Sequence, residues 1–156
     1  MVHHAPPDYI CPFCLFVRNI RDTRVLSVSD DRVWNDGTVS ALISAHQWVN
    51  NPGHVIIIPN QHWENIYDLP LDLATAIHRV ARLVALAMKR AYRCDGISTR
   101  QHNEPAGNQD VWHYHLHVFP RYASDNLYQS TYALMPPNQR ADYCERLKSE
   151  LKEIGS

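Results

Sequence analysis

The segment His113-Tyr114-His115-Leu116-His117-Val118-Phe119 alternates imidazole with an apolar side chain at every step. On an extended strand, residues i, i+2 and i+4 share a face and stand about 7 Å apart. The three imidazoles therefore look one way, while Tyr114, Leu116 and Val118 look the other way, into a core. Such a strand requires a sheet with one buried face and one face free for chemistry. Three readings fit it. The first is a solvated polar face, though polar faces ordinarily use Thr, Lys, Glu and Ser. The second is a metal site, since alternate histidines on a strand can bind one zinc ion. The third is nucleophilic catalysis, in which a neutral imidazole attacks phosphorus through one nitrogen while an acceptor holds the other. The preceding loop, with Asn103, Gly107, Asn108 and Gln109, favours the third, because small and amide residues can wrap a phosphate without adding fixed charge.

A length of 156 residues suits one domain, over 1–156. With 45% hydrophobic and 20% charged residues, the composition is that of a globular chain rather than a disordered one. A formal net charge of −1 argues against a generally basic nucleic-acid binder. No apolar run approaches the ~20 residues that a membrane-spanning helix needs. The first residues, Met-Val-His-His-Ala-Pro-Pro-Asp, lack the basic-then-apolar pattern of a secretion signal, so the cytoplasm is the expected location.

Turn signals at Asp36-Gly37 and Asn50-Asn51-Pro52-Gly53 divide the first half into strands. Two short strands are expected between Arg24 and Asn35, around Asp30-Asp31. Further strands follow at Thr38 to His46, His54 to Pro59 and Gly96 to Gln101. The periodicity of Leu73, Ile77, Val80, Val84 and Met88 predicts a long helix from about Leu69 to Tyr92 with that stripe in the core. Residues 122–138 read as irregular, ended by Pro136-Pro137. Gln139 to Lys152 reads as an amphipathic helix with Tyr143, Leu147, Leu151 and Ile154 on its apolar side. Cys11 and Cys14 carry metal or redox spacing; redox pairs of this kind open a helix in a thioredoxin-like βαβ unit, for which no pattern is present. Cys94 and Cys144 read as inert thiols.

The run Gln109-Asp110-Val111-Trp112-His113-Tyr114-His115-Leu116-His117-Val118-Phe119-Pro120-Arg121 resembles the signature of the histidine triad (HIT) family of nucleotide hydrolases and transferases. Pro52-Gly53-His54-Val55-Ile56-Ile57-Ile58-Pro59 followed by His62 is similar to that family's second landmark, and Cys11-Pro12-Phe13-Cys14 to the start of many bacterial members. The motifs cover residues 9–121; residues 122–156 form an extension without a signature. The resemblance implies an α+β, HIT-like fold, with an antiparallel sheet of about five strands, the long helix on one face and a C-terminal helix. It also implies a homodimer that completes the sheet.

By the same resemblance, His115 is the nucleophile that forms a nucleotidyl-histidine, and His117 contacts the phosphate. Gln109 and Asn103 hold phosphate oxygens. His46 stands where relatives often place Asp or Asn against the ribose. Phe13 and Phe16 help wall the base pocket. Asp110 stands where many relatives use Ser or Thr to donate to the leaving group, which an ionised carboxylate cannot do. A magnesium ion arriving with a polyphosphate, a protonated neighbouring histidine, or a neutral Asp110 carboxyl would each offset its charge. Resemblance to zinc-containing bacterial members and to galactose-phosphate uridylyltransferases implies a closed structural zinc held by Cys11, Cys14, His62 and His113. His54, His78 and His102 receive no role, and His3 and His4 are expected in solvent.

The expected activity is cleavage at the α-phosphorus of a nucleoside phosphate, releasing a nucleoside monophosphate. Diadenosine polyphosphates, nucleoside phosphoramidates and adenylylated compounds are the candidate substrates. The ending His117-Val118-Phe119-Pro120-Arg121 looks most like the dinucleoside polyphosphate hydrolase branch. Rival readings are a nucleotidyltransferase of the same chemistry, a non-enzymatic nucleotide-binding protein, and a metalloenzyme using the three histidines as ligands.

Overall fold

The computed structural model describes residues 2–155. Its strands are β1 (Arg32–Asn35), β2 (Val39–Ile43), β3 (His46–Trp48), β4 (Val55–Pro59), β5 (Gly96–Gln101), β6 (Leu116–Arg121) and β7 (Tyr132–Leu134). Its helices are α1 (Pro12–Val17), α2 (Leu71–Ala91) and α3 (Pro137–Ile154). Five strands form an antiparallel sheet in the order β1-β2-β4-β6-β5, while β3 and β7 pair in a small second sheet. The α+β arrangement and both long helices match the expectation from sequence. The helix stripe Leu73, Ile77, Val80, Val84 and Met88 is buried against Val39, Ala41, Ile43, Val55, Ile57, Leu116 and Val118. Alternation along each strand turns the intervening residues, among them Leu42, Ile56 and Ile58, to the opposite face, where Phe16 of α1 covers them.

Several boundaries differ from the sequence reading, each for a local reason. Residues 24–28 form no strand. The Asp31 carboxylate accepts from the Val28 N–H at 2.7 Å and bends Ser29–Asp31 into a 3-10 turn, leaving one strand, β1. The strand expected over Thr38 to His46 splits at Ser44. There the Gln47 amide donates to the carbonyls of Ser44 and His54 at 2.6 and 3.2 Å, while its oxygen accepts from the N–H groups of Gly53 and His54. This buried knot diverts the chain into β3. Residues 122–138, read as irregular, contain β7, which pairs with β3 through His46, Gln47 and Trp48. Gly53 has a φ of +91°, and a Cβ there would stand 2.6 Å from the Tyr92 ring, so the turn into β4 requires glycine.

The C-terminal helix has a definite task. Arg140 is 1% exposed and pairs with both carboxylate oxygens of Asp31, at 2.9 and 2.7 Å, while also donating to the carbonyls of Met135 and Leu26. It therefore fastens α3 to the segment that edges the cleft on the α1 side. Truncating one partner of a buried pair leaves the other charge uncompensated. Arg140→Ala is expected to lower the free energy of unfolding by about 3–5 kcal/mol, read by urea denaturation.

Candidate active site and metal centre

The alternating histidine segment is only partly regular strand. β6 begins at Leu116, and His113 and His115 lie in the irregular stretch before it, where the Tyr114 N–H donates to the Trp63 carbonyl. The three rings also divide in use. His113 is fully buried and turns away toward the two cysteines, whereas His115 and His117 line a cleft of about 450 Å³ on the sheet face opposite α2.

Carbonyl acceptors set the tautomers. The His115 Nδ1–H donates to the His113 carbonyl at 2.7 Å, which leaves the Nε2 lone pair for the cleft. The His54 Nδ1–H donates to the His46 carbonyl at 3.3 Å, and its Nε2 accepts from the His117 Nδ1–H at 2.9 Å. His117 therefore also presents a bare Nε2. The rings of His54 and Phe119 are nearly parallel at 5°, with centroids 4.1 Å apart, and His117 lies at 18° to His54. His54, which the sequence reading left without a role, thus orients His117. The signal for it was available only as the His54 of the second landmark, because its partner lies 63 residues away.

Burial holds all three rings neutral. It pushes the His115 imidazole below its ordinary range, opposed by the His113 carbonyl and Asp110. It pushes His117 down further, with His54 and His115 adding to the effect, and it lowers His54 to about 3.

The remaining predicted residues separate into two groups. Phe13, Phe16, His46 and Asp110 line the cleft. Phe13 sets its ring edge-on to His115, with centroids 5.3 Å apart, and His46 meets the Tyr132 ring edge-on. Asp110 is exposed and brings a carboxylate oxygen to 3.7 Å from the His115 Nε2. Gln109 and Asn103 are not brought to the cleft. The Gln109 amide donates to the carbonyls of Glu64 and Val111 and accepts from the Glu104 N–H, so this buried side chain holds the loop in shape. Asn103 exchanges hydrogen bonds with Gln101 and accepts from the Ile66 N–H. Loop amides wrapping a phosphate and loop amides bonding the loop itself look alike in sequence. His102 also lines the cleft, its Nδ1–H donating to the Gly107 carbonyl, and Arg100 and Trp48 join it there. His3 and His4 are exposed, as expected, and each still meets an acid there: the His3 ring meets Glu64, and the His4 ring meets Glu104.

Cys11, Cys14, His62 and His113 converge beside the cleft, with one donor atom from each lying within 4.8 Å of the others. Cys11 caps α1 and accepts from the Cys14 N–H through its sulfur. His113 Nδ1 lies 3.2 Å from Cys11 Sγ and 3.6 Å from Cys14 Sγ, and His62 Nδ1 lies 3.3 Å from Cys14 Sγ. The His113 Nε2–H donates to the Pro59 carbonyl at 2.9 Å, which leaves Nδ1 free to bind a metal. The Cys14 thiol is held far below the usual thiol range, first by the Cys11 thiol and then by His113 and His62. Two sulfurs and two imidazole nitrogens at these separations suit one tetrahedral ion.

Fold and site together define an α+β protein with buried imidazoles lining a cleft on the open face of its sheet. The chain belongs to the histidine triad family: the HIT domain model matches residues 28–124. It is 23% identical over 141 residues to Protein hit of Bacillus subtilis, covering 90% of this chain and 91% of that one. It is 31% identical over 77 residues to the bis(5'-adenosyl)-triphosphatase of Saccharomyces cerevisiae, spanning 49% of this chain and 37% of that one. Among solved structures, a zinc-bound histidine triad family protein of Mycobacterium smegmatis aligns with a TM-score of 0.76 at 23% identity, covering 93% of this chain and 95% of that one.

The buried ring of His54 makes stability depend on pH. An unfolded chain's imidazole takes its proton near 6.5, whereas the folded ring resists it to about 3. The contribution is therefore intact above pH 6.5 and is lost as pH falls from 6.5 toward 3. In that window His54 is expected to add up to about 1.4 kcal/mol per pH unit to the slope of unfolding free energy. His54→Gln, compared with the parent by urea unfolding between pH 7 and 4.5, should show the shallower slope.

Proposed function

We propose that this protein is a nucleotide hydrolase that cleaves at the α-phosphorus of a nucleoside phosphate through a nucleotidyl-histidine intermediate. The observation that carries the reading is the His115 imidazole: buried, neutral, held at Nδ1 by the His113 carbonyl, with its Nε2 lone pair facing the cleft. In the first step Nε2 attacks the α-phosphorus. A nitrogen–phosphorus bond forms, and the bond to the leaving oxygen breaks with its electron pair on that oxygen. In the second step water attacks the same phosphorus, its proton passing to the His117 Nε2, and the nitrogen–phosphorus bond breaks to free His115 and a nucleoside monophosphate. The apolar wall of Phe13, Phe16, Leu42 and Ile56 suits a purine or pyrimidine base, and His46 suits a ribose hydroxyl. The yeast bis(5'-adenosyl)-triphosphatase supports a dinucleoside polyphosphate as substrate.

Zinc fits the Cys11, Cys14, His62 and His113 donor set, and a closed four-ligand site gives it a structural task. There it fastens α1, which carries Phe13 and Phe16, to the stretch before β6. The unpaired outer edge of β5 suits a homodimer joined strand to strand.

Two outcomes are expected. His115→Ala should lose several powers of ten in turnover of diadenosine polyphosphates while still binding AMP, because the ring attacks rather than anchors. A residual rate within about tenfold of the parent would reject the nucleophile. Protein purified without chelator should carry about one zinc per chain by elemental analysis, and Cys14→Ser should lose it and melt at a lower temperature.

A further inference from the structure

Arg100 lies on β5 directly across from His117 on β6 and lines the cleft. Its guanidinium lies 5.0 Å from the Trp48 ring centroid and 4.9 Å from that of Phe119. Its Nε is buried without a hydrogen-bond partner. Among the described residues no carboxylate pairs with it; Asp110 and Tyr128 act on it only through space. The cleft's other arginine, Arg24, is engaged by Asp22 through contacts of 2.7 and 2.5 Å. A buried donor without a partner is costly to hold, and two aromatic faces supply only part of what water supplied, while the half-buried side chain keeps the rest of its guanidinium within reach of a ligand. The His115 and His117 rings beside it turn Nε2 to the cleft, and of the cleft's two arginines Arg100 is the one without a carboxylate partner among the described residues.

The sheet order says which part of a ligand it meets. The apolar wall rests on β2, β4 and α1 through Leu42, Ile56 and Phe16. His115 and His117 belong to the β6 segment, and Arg100 stands on β5 beyond them. A nucleoside seated on the wall, with its α-phosphorus at His115, directs whatever lies past that phosphorus toward Arg100. We propose that Arg100 binds an anionic group on the departing half of the substrate, a second phosphoryl or an equivalent sulfuryl, and so selects acid anhydrides over neutral phosphoramidate leaving groups. The proposal rests on the nucleotide reading above and narrows it. Guanidinium donors match phosphate oxygens in pairs and stabilise the negative charge that appears as the leaving oxygen departs. Arg100 also offsets the Asp110 carboxylate at the same cleft, without magnesium or a protonated ring.

The test is calorimetric binding of AMP and ADP, in magnesium-free buffer, to the parent protein, Arg100→Met and Arg100→Lys. The parent should bind ADP at least about tenfold more tightly than AMP, the value of one charge-assisted contact. Arg100→Met should bring that ratio close to one while changing AMP affinity far less, and Arg100→Lys should restore part of it. A parent that binds both nucleotides equally, or an Arg100→Met variant that keeps the parent's ratio, overturns this assignment and leaves the nucleotide reading standing. A parent that binds neither overturns both.

Discussion

His113 is the joint of this molecule. Its ring donates from Nε2 to the Pro59 carbonyl at the end of β4 and turns Nδ1 to the two cysteines at the start of α1. Its backbone carbonyl, in turn, fixes the tautomer of His115. One residue thus connects sheet, N-terminal helix and the His115 imidazole, and a displacement of any one is transmitted to the others. Substituting it would disturb the candidate metal cluster and the His115 tautomer together.

Electrostatically, the cleft separates its functions among strands. The imidazoles of His54, His115 and His117 are kept neutral by burial, which suits the proposed nucleophile, whose lone pair must not carry a proton. Fixed charge lies to either side, with Asp110 in the loop and Arg100 on β5. An anion entering here is met by orientation and a single guanidinium rather than by a cluster of cations. For the nucleophile proposed above, one guanidinium meets the anion while depressing the imidazole's basicity less than a strongly positive pocket would.

What was legible in the sequence follows the range of the interactions. The α2 stripe and the alternation through His113 to Phe119 are local periodicities; the helix appears where it was read, and the strand does so from Leu116 onward. The metal set was legible because the Cys11/Cys14 spacing is local and the resemblance supplied His62 and His113. The short α1, the β3–β7 pair and the Asp31–Arg140 clamp were hidden, since each depends on partners distant along the chain. Gln109 and Asn103 show the limit from the other side. Their amide chemistry was correctly noticed, but whether it serves a ligand or the backbone depends on which carbonyls fold to within reach. Arg100 carried no pattern at all; its place emerges only once β5 lies against β6.

The parallel rings of His54, His117 and Phe119 have a consequence for timing. Trp48 closes on this stack edge-on, with its centroid 5.3 Å from that of His54 and 5.1 Å from that of Phe119. Rings packed and hydrogen-bonded to one another in this way have few rotamers left, so their torsional freedom is surrendered once, when the chain folds, and not at each encounter with a ligand. The entropy of arranging His117 is then absent from the activation step. The hydrolase proposed above would on this account have little need for a closing lid, and its rate should respond to temperature mainly through the enthalpy of bond exchange.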